Sequence, residues 1–258
     1  GKSKLKKVAG HIPGAIMVNY RRLRAGKKID GRKVIKMIVS KSAFEKLMQA
    51  SGVNKNSAVV IVSKGRSDGD VTMATRLYWQ MKYYGHDNMA ILNGGMAQWI
   101  VDKRTVSSKE SKVKKGNWVA TAERNEILAT SQDVEAAVKT RSQLVDTRPI
   151  SFYLGIRRKK SYVYADGHIP GAKLYPNELL TTKMPAKFLK VSDSKSLFEQ
   201  LGIKTDKKLI TYCNSGNLST GSWFIMSELI GNKNVKMYDG SMHQWTREKR
   251  DVTKMKME

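Results

Sequence analysis

Residues 210–220 read ITYCNSGNLST, and Cys213 within them is the single cysteine of this 258-residue chain. One thiol forms no intramolecular disulfide and no cysteine-based zinc cage, so it is either a buried spectator or a nucleophile. A nucleophilic sulfur must be a thiolate, and a free thiol, titrating at about 8.5, is mostly protonated at neutral pH. The residues that follow suit the task of holding an anion. Ser215, Gly216, Asn217 and Ser219 are small enough for the backbone to curl over the sulfur with N–H groups turned inward, and Gly216 can take a positive φ. A helix starting behind the loop adds about half a positive charge at that end. The same cradle can hold a persulfide once the thiolate has attacked a sulfane sulfur, which divides a transfer into two easier steps. A phosphatase would want an Arg six residues beyond the cysteine to clamp phosphate, and Ser219 stands there instead.

Something must place that loop. KLITY (Lys208–Tyr212) is a short β-branched run that reads as a buried strand ending at Cys213, and Leu218, Ser222, Ile225, Met226 and Leu229 lie on one helical face stopped by Gly231 and Asn232. The pattern has an echo. AVVIV (Ala58–Val62) precedes a helical face of Ala74, Leu77, Tyr78, Met81 and Tyr84, ended by Gly85. GHIPGA occurs at Gly10–Ala15 and again at Gly167–Ala172, and NGGMAQW ending at Trp99 matches YDGSMHQW ending at Trp245. Motif order is kept, so the chain is a tandem duplication of an α/β unit in which reactive groups gather at strand carboxyl ends. The expected boundaries are a domain over 1–102 without a cysteine, a Lys/Ser/Thr-rich linker over 103–124, and a domain over 125–258 that carries Cys213. Within the linker NWVAT (Asn117–Thr121) reads as a short strand or an extended tie between the domains. Thr130 and Asp133 form a capping-box pattern, and QLVDT (Gln143–Thr147) is expected to begin the second sheet. The strand and helix equivalent to 130–148 have no counterpart ahead of the first GHIPGA, so that piece is expected to be cleaved, omitted or supplied by a separate chain.

The duplicated motifs, VDTR (Val145–Arg148), FYLG (Phe152–Gly155), the CNSG loop and a cysteine in the second copy only resemble the tandem-domain rhodanese family, sulfurtransferases of the thiosulfate or 3-mercaptopyruvate type. The resemblance implies two rhodanese-like α/β domains, each a mainly parallel sheet flanked by helices, the first inactive. It implies catalytic Cys213 and a substrate-binding set of Asn214, Ser215, Gly216, Asn217, Leu218, Ser219, Asp146 and Arg148. It also implies a small anionic sulfur donor, a thiol or cyanide acceptor, or a sulfur-accepting protein, with no metal or organic cofactor. For Asp146 and Arg148 a strand-end salt bridge stands beside direct donor contact as an equal reading. The chain departs from the family pattern at three places. Phe152 stands where many relatives carry an Arg, with Arg157 or Arg158 as candidate substitutes; Asn214 and Ser215 are closer to the mercaptopyruvate-type loops; and Leu218 replaces a common Thr. In the first copy Ser63, in VSKGRSDGD, follows the strand and cannot carry a persulfide.

His11 and His168 read as turn residues, Trp99 and Trp245 as packing at domain edges, and Met242 and His243 as lining of the cleft in the second domain. The formal charge of +26, from 48 Lys and Arg against 22 Asp and Glu, attracts anions without choosing among them. Its clusters, Lys2–Lys7, Arg21–Lys28, Lys112–Lys115 and Arg157–Lys160, fall in apparent tails, loops and linker. No aromatic-basic motif of a nucleic-acid reader is present, and no apolar run is long enough to span a bilayer. The protein is expected to be soluble, with cytoplasm and periplasm both open. A non-catalytic sulfur carrier or anion-binding scaffold is the alternative to an enzyme.

Overall fold

The computed structural model describes residues 8–255, and they divide into two compact units. Strands β1 (Arg24–Ile29) and β2 (Arg32–Ile38) form a hairpin. Its turn is two residues long, with Asp30 at φ 46° and Gly31 at φ 77°, successive left-handed residues whose twist matches that of the flanking strands. The charge-run reading is corrected at this point: Lys27 and Lys28 are exposed residues of a strand, not of a loop. The cluster Lys2–Lys7 lies outside the described residues.

One unit holds the described residues up to Arg24, Ile38–Arg124 and Thr181–Phe188. It contains α1 (Lys41–Ala50), β3 (Val59–Ile61), α2 (Asp68–Tyr83), β4 (Met89–Ile91) and α3 (Gly95–Val101). Ser40 caps α1 through the Ala43 N–H, and Ser67 caps α2 with Asp68 and Asp70 in the first turn, where acidic groups complement the helix dipole. The parallel pair β3–β4 is its sheet among the described residues, with Val60 opposite Ala90. Phe44 stacks on Tyr84 at 5.0 Å and meets Trp118 edge-on at 5.5 Å. Asn117–Thr121 forms no strand; it packs on this unit in extended form, its Trp118 N–H donating to Val53 O and its Thr121 N–H to Tyr84 O.

The other unit holds Ala25–Met37, Asn125–Leu180 and the described residues from Leu189 on, so the hairpin body groups with the second repeat although it lies in the first. The elements from Asn125 onward are β5 (Leu128–Ala129), α4 (Ser131–Thr140), β6 (Gln143–Asp146), α5 (Ile150–Tyr153), β7 (Lys173–Leu174), α6 (Val191–Gln200), β8 (Leu209–Tyr212), α7 (Ser219–Phe224), β9 (Val235–Tyr238) and α8 (Ser241–Arg247). The capping box is present: Thr130 and Asp133 satisfy each other's N–H groups at the start of α4. The sheet begins with β5, ahead of the expected QLVDT strand. All five strands run parallel in the order β5-β9-β8-β6-β7. All four residues of β8 are buried, as a central strand covered on both faces requires. The helical face expected over 218–229 is split: α7 is followed by a π-helical turn, Ile225–Leu229, which still buries Ile225 and Met226.

Parallel register lines up the strand ends. Asp146 of β6 lies opposite Tyr212 of β8, and Thr211 lies opposite Met237 of β9. The residues just beyond those ends, Thr147–Arg148, Cys213 and Asp239–Ser241, therefore share one rim, where open α/β sheets place their chemistry. Trp245 is a correction: it lies in the buried cluster with Tyr212, Tyr238 and Met242 rather than at an edge. Among the described residues no helix is long and apolar enough to cross a membrane.

Candidate active site

Cys213 is the first residue past β8 and is 1% exposed, and a hydroxyl reaches its sulfur. The Ser219 hydroxyl donates to Sγ at 3.5 Å, and Asn214, Ser215 and Ser219 are buried with it. Gly216 takes φ 67°, the left-handed conformation expected of it. Leu218 and Asn217 are half-buried at the lip of the loop. Asn214 Oδ1 is buried without a hydrogen-bond partner.

The loop is held from the start of α8. Ser241 Oγ accepts from the Cys213 N–H at 3.1 Å and from the Gly216 N–H at 3.0 Å, and donates to Tyr238 O at 2.8 Å. The Met242 N–H donates to Cys213 O and the His243 N–H to Asn214 O, both at 3.0 Å. This corrects part of the cradle expectation: two of the loop's amides face Ser241 rather than the sulfur. From behind, Ser219 O accepts from the Thr211 and Ser222 hydroxyls, fixing the residue that touches Sγ.

The first repeat has the same scaffold with Ser63 in the place of Cys213. Met96 N–H donates to Ser63 O and Ala97 N–H to Lys64 O, matching the Met242 and His243 contacts. Gly95, at φ 54°, stands where Ser241, at φ 52°, stands in the second copy. A Cβ on Gly95 would lie 2.3 Å from Ser63 O, so the first copy admits only glycine there. A non-glycine residue in that conformation is strained by roughly 1–2 kcal/mol. Ser241 keeps the strain, and its hydroxyl is what the loop gains. Sequence reasoning missed Ser241; the signal was its place just past a strand that had to neighbour β8.

Asp146 and Arg148 do sit beside this loop, turned on each other. Arg148 Nη2 reaches Asp146 Oδ2 at 2.6 Å and Gly167 O at 2.7 Å, Nε reaches both carboxylate oxygens, and the two side chains are 1% and 0% exposed. Burial works against the Arg148 charge, yet Asp146 outweighs it and holds the guanidinium above its ordinary range. The pair ties the end of β6 to the second GHIPGA turn. Of the two candidate substitutes for the missing Arg, Arg158 pairs with Asp166 at 3.1 Å and Arg157 is exposed. His168 Nδ1 donates to Tyr153 O at 2.7 Å and its ring stacks on Tyr153; burial pushes its pKa down. His11 bonds Ile12 O and Lys109 O. Met242 and His243 are buried.

A cavity of about 650 Å³ lined by Gln143, Lys208, Leu209 and Lys236 opens at the amino ends of β6, β8 and β9, the far ends from Cys213. Among the described residues no group of His, Cys, Asp and Glu is placed to hold a metal.

The family described as Rhodanese-like domain matches residues 6–102 and 130–248. The chain is 30% identical over 245 residues to the "Sulfur carrier protein TtuD" of Thermus thermophilus, covering 92% of this chain and 82% of that protein. It is 31% identical over 240 residues to a "Putative thiosulfate sulfurtransferase" of Haloferax volcanii, covering 91% and 80%. In fold it is similar to the 3-mercaptopyruvate sulfotransferase SseA from Escherichia coli, with TM-score 0.76 and 23% identity over 92% of this chain and 85% of that one. It is also similar to an EanB variant solved as a persulfide with ergothioneine, with TM-score 0.83 and 20% identity over 97% of this chain and 62% of that one. Two matched domains, the order of their motifs and relatives related over most of their length make this chain a member of the rhodanese family of sulfurtransferases and sulfur carriers.

Proposed function

We propose that the chain moves a sulfane sulfur from a small anionic donor, thiosulfate or 3-mercaptopyruvate, to a thiophilic acceptor through a persulfide on Cys213. The Cys213 thiolate attacks the outer sulfur of thiosulfate; the S–S bond of the donor breaks, and sulfite leaves with the electron pair. From 3-mercaptopyruvate the same attack breaks the C–S bond, and the carbon fragment takes a proton to leave as pyruvate. Cyanide or a thiol then attacks the outer persulfide sulfur and returns the thiolate. The observation that carries this reading is the placement of the chain's one thiol, at the rim of the sheet, on a loop pinned at Cys213 and Gly216 by Ser241.

Asn214, Ser215, Gly216, Asn217, Leu218 and Ser219 form the wall met by the donor in this reading. Asp146 and Arg148 are assigned to holding the loop's base, because their polar atoms already face one another. Measuring released sulfite and pyruvate with a range of donors tests the proposal: turnover by the chain and none by Cys213→Ser is the expected outcome, and equal turnover by both would overturn it. The name of the Thermus thermophilus relative favours a second reading, in which the Cys213 persulfide is handed to a protein rather than to a small acceptor. In that case sulfur loads onto Cys213 but cyanide and small thiols give no sustained turnover.

A further inference from the structure

The hairpin β1–β2 meets the second repeat at a residue next to the sulfur loop. The Ile35 N–H donates to His243 Nε2 at 2.9 Å. The other ring nitrogen, Nδ1, lies 2.5 Å from Tyr162 O, a carbonyl that can only accept, so Nδ1 carries the proton and the ring is neutral. The His243 backbone N–H in turn holds Asn214 O, one residue from Cys213. Ile35 packs against the cluster of Tyr162, Tyr212, Met242 and Trp245, and Lys36, at φ 65°, sets its ammonium 3.9 Å from the centre of the Tyr162 ring. A single imidazole thus joins an arm from the first repeat to the loop that bears the thiol.

We propose that His243 is a positioning residue of the sulfur-transfer site: while neutral it latches the hairpin against the Cys213 loop as a wall of the donor's approach, and on taking a proton it releases the hairpin. This rests on the reading of Cys213 as the persulfide carrier. Protonation turns Nε2 from acceptor to donor, leaving two N–H groups facing each other where one bond stood. The charged groups around the ring oppose protonation. Lys36 on the hairpin and Arg247 on α8 are both cations, and the rings of Tyr162 and Tyr164 lie against the imidazole. Burial, Arg247 and Lys36 push the His243 pKa below its ordinary 6.5, against the pull of Tyr162 O. The latch is therefore closed at neutral pH and opens on acidification.

Hydrogen exchange of the Ile35 amide in the full chain, corrected for its intrinsic pH dependence, reads the latch directly. Below the His243 titration, protection is expected to fall about tenfold per pH unit, as one linked proton requires. Gln at this position can accept from the Ile35 N–H and donate to Tyr162 O without titrating, so His243→Gln should stay protected across the range. His243→Leu should be unprotected throughout. At neutral pH His243→Leu should raise the KM for thiosulfate severalfold with a smaller change in kcat, and His243→Gln should restore it. Should His243→Leu fail to fold, Ile35→Pro removes the donor of the same bond and should raise the KM for thiosulfate in the same way. Cys213→Ser separates the two claims: it should abolish sulfur loading and leave Ile35 protection unchanged. Protection of Ile35 that does not vary with pH in the folded chain, or a His243→Gln variant that follows the wild-type titration, would overturn the latch even if Cys213 transfers sulfur.

Discussion

Changing Ser241 to glycine takes away the oxygen on which two amides of the sulfur loop converge and leaves a residue at ease with φ 52°. Changing it to alanine takes away the same oxygen and keeps the strain. A buried amide left without a partner costs about 1–3 kcal/mol, so the Cys213 and Gly216 N–H groups together put the loss at roughly 2–6 kcal/mol, less whatever a water entering the vacated space restores. Glycine recovers about 1–2 kcal/mol of backbone strain that alanine does not. Urea unfolding should therefore rank wild type above Ser241→Gly and Ser241→Ala last, with the two variants about 1–2 kcal/mol apart. Persulfide formation separates loop placement from stability. If 1.4 kcal/mol of the loss falls on the reactive conformation, the rate drops about tenfold, and both variants should slow together by roughly 10–100-fold under conditions where they are folded. A Ser241→Gly variant that loads sulfur at the wild-type rate would refute the claim that this hydroxyl sets the loop, and Ser241→Ala at least as stable as Ser241→Gly would refute the strain argument.

Ser219→Ala removes the hydroxyl that touches Sγ and should slow persulfide formation by about tenfold, the equivalent of one hydrogen bond of roughly 1–1.5 kcal/mol; an unchanged rate in stopped-flow would contradict that role. Asp146→Asn leaves the Arg148 charge buried beside a neutral partner and should cost about 3–5 kcal/mol in urea unfolding. A fully stable Asp146→Asn variant with a raised donor KM would instead return the pair to substrate binding. His168 is neutral in the fold because burial, its largest influence, depresses its pKa. The unfolded chain then binds the extra proton first, so stability is full above about 6.5 and falls as the pH drops from there toward the depressed folded value. His168→Asn should flatten part of that decline in urea midpoints measured across the acid range.

Local signals in the sequence were read correctly because their causes are local. A β-branched run, a cysteine at its end, a glycine three residues on and a Thr130–Asp133 capping box each specify geometry within a few residues, and each is found in place. The long-range partnerships were not legible. Ser241 matters only because β9 lies beside β8, an order that periodicity does not reveal. The hairpin was hidden by lysines that break the alternation of β1, although Asp30–Gly31 between Ile29 and Val34 was a turn signal. Its attachment to the second repeat depends on His243, 208 positions from Ile35. Arg148 was placed in the right neighbourhood by the VDTR motif, but its direction follows from the carboxylate two residues earlier on the same strand end and from Gly167 O.

Intact-mass spectrometry of the reduced chain after exposure to thiosulfate and to 3-mercaptopyruvate bears most directly on the sulfur chemistry. A gain of one sulfur atom, mapped to Cys213, removed by cyanide with thiocyanate formed and absent from Cys213→Ser, is the expected result. A reduced, titratable Cys213 that takes up no sulfur from any sulfane donor would contradict it.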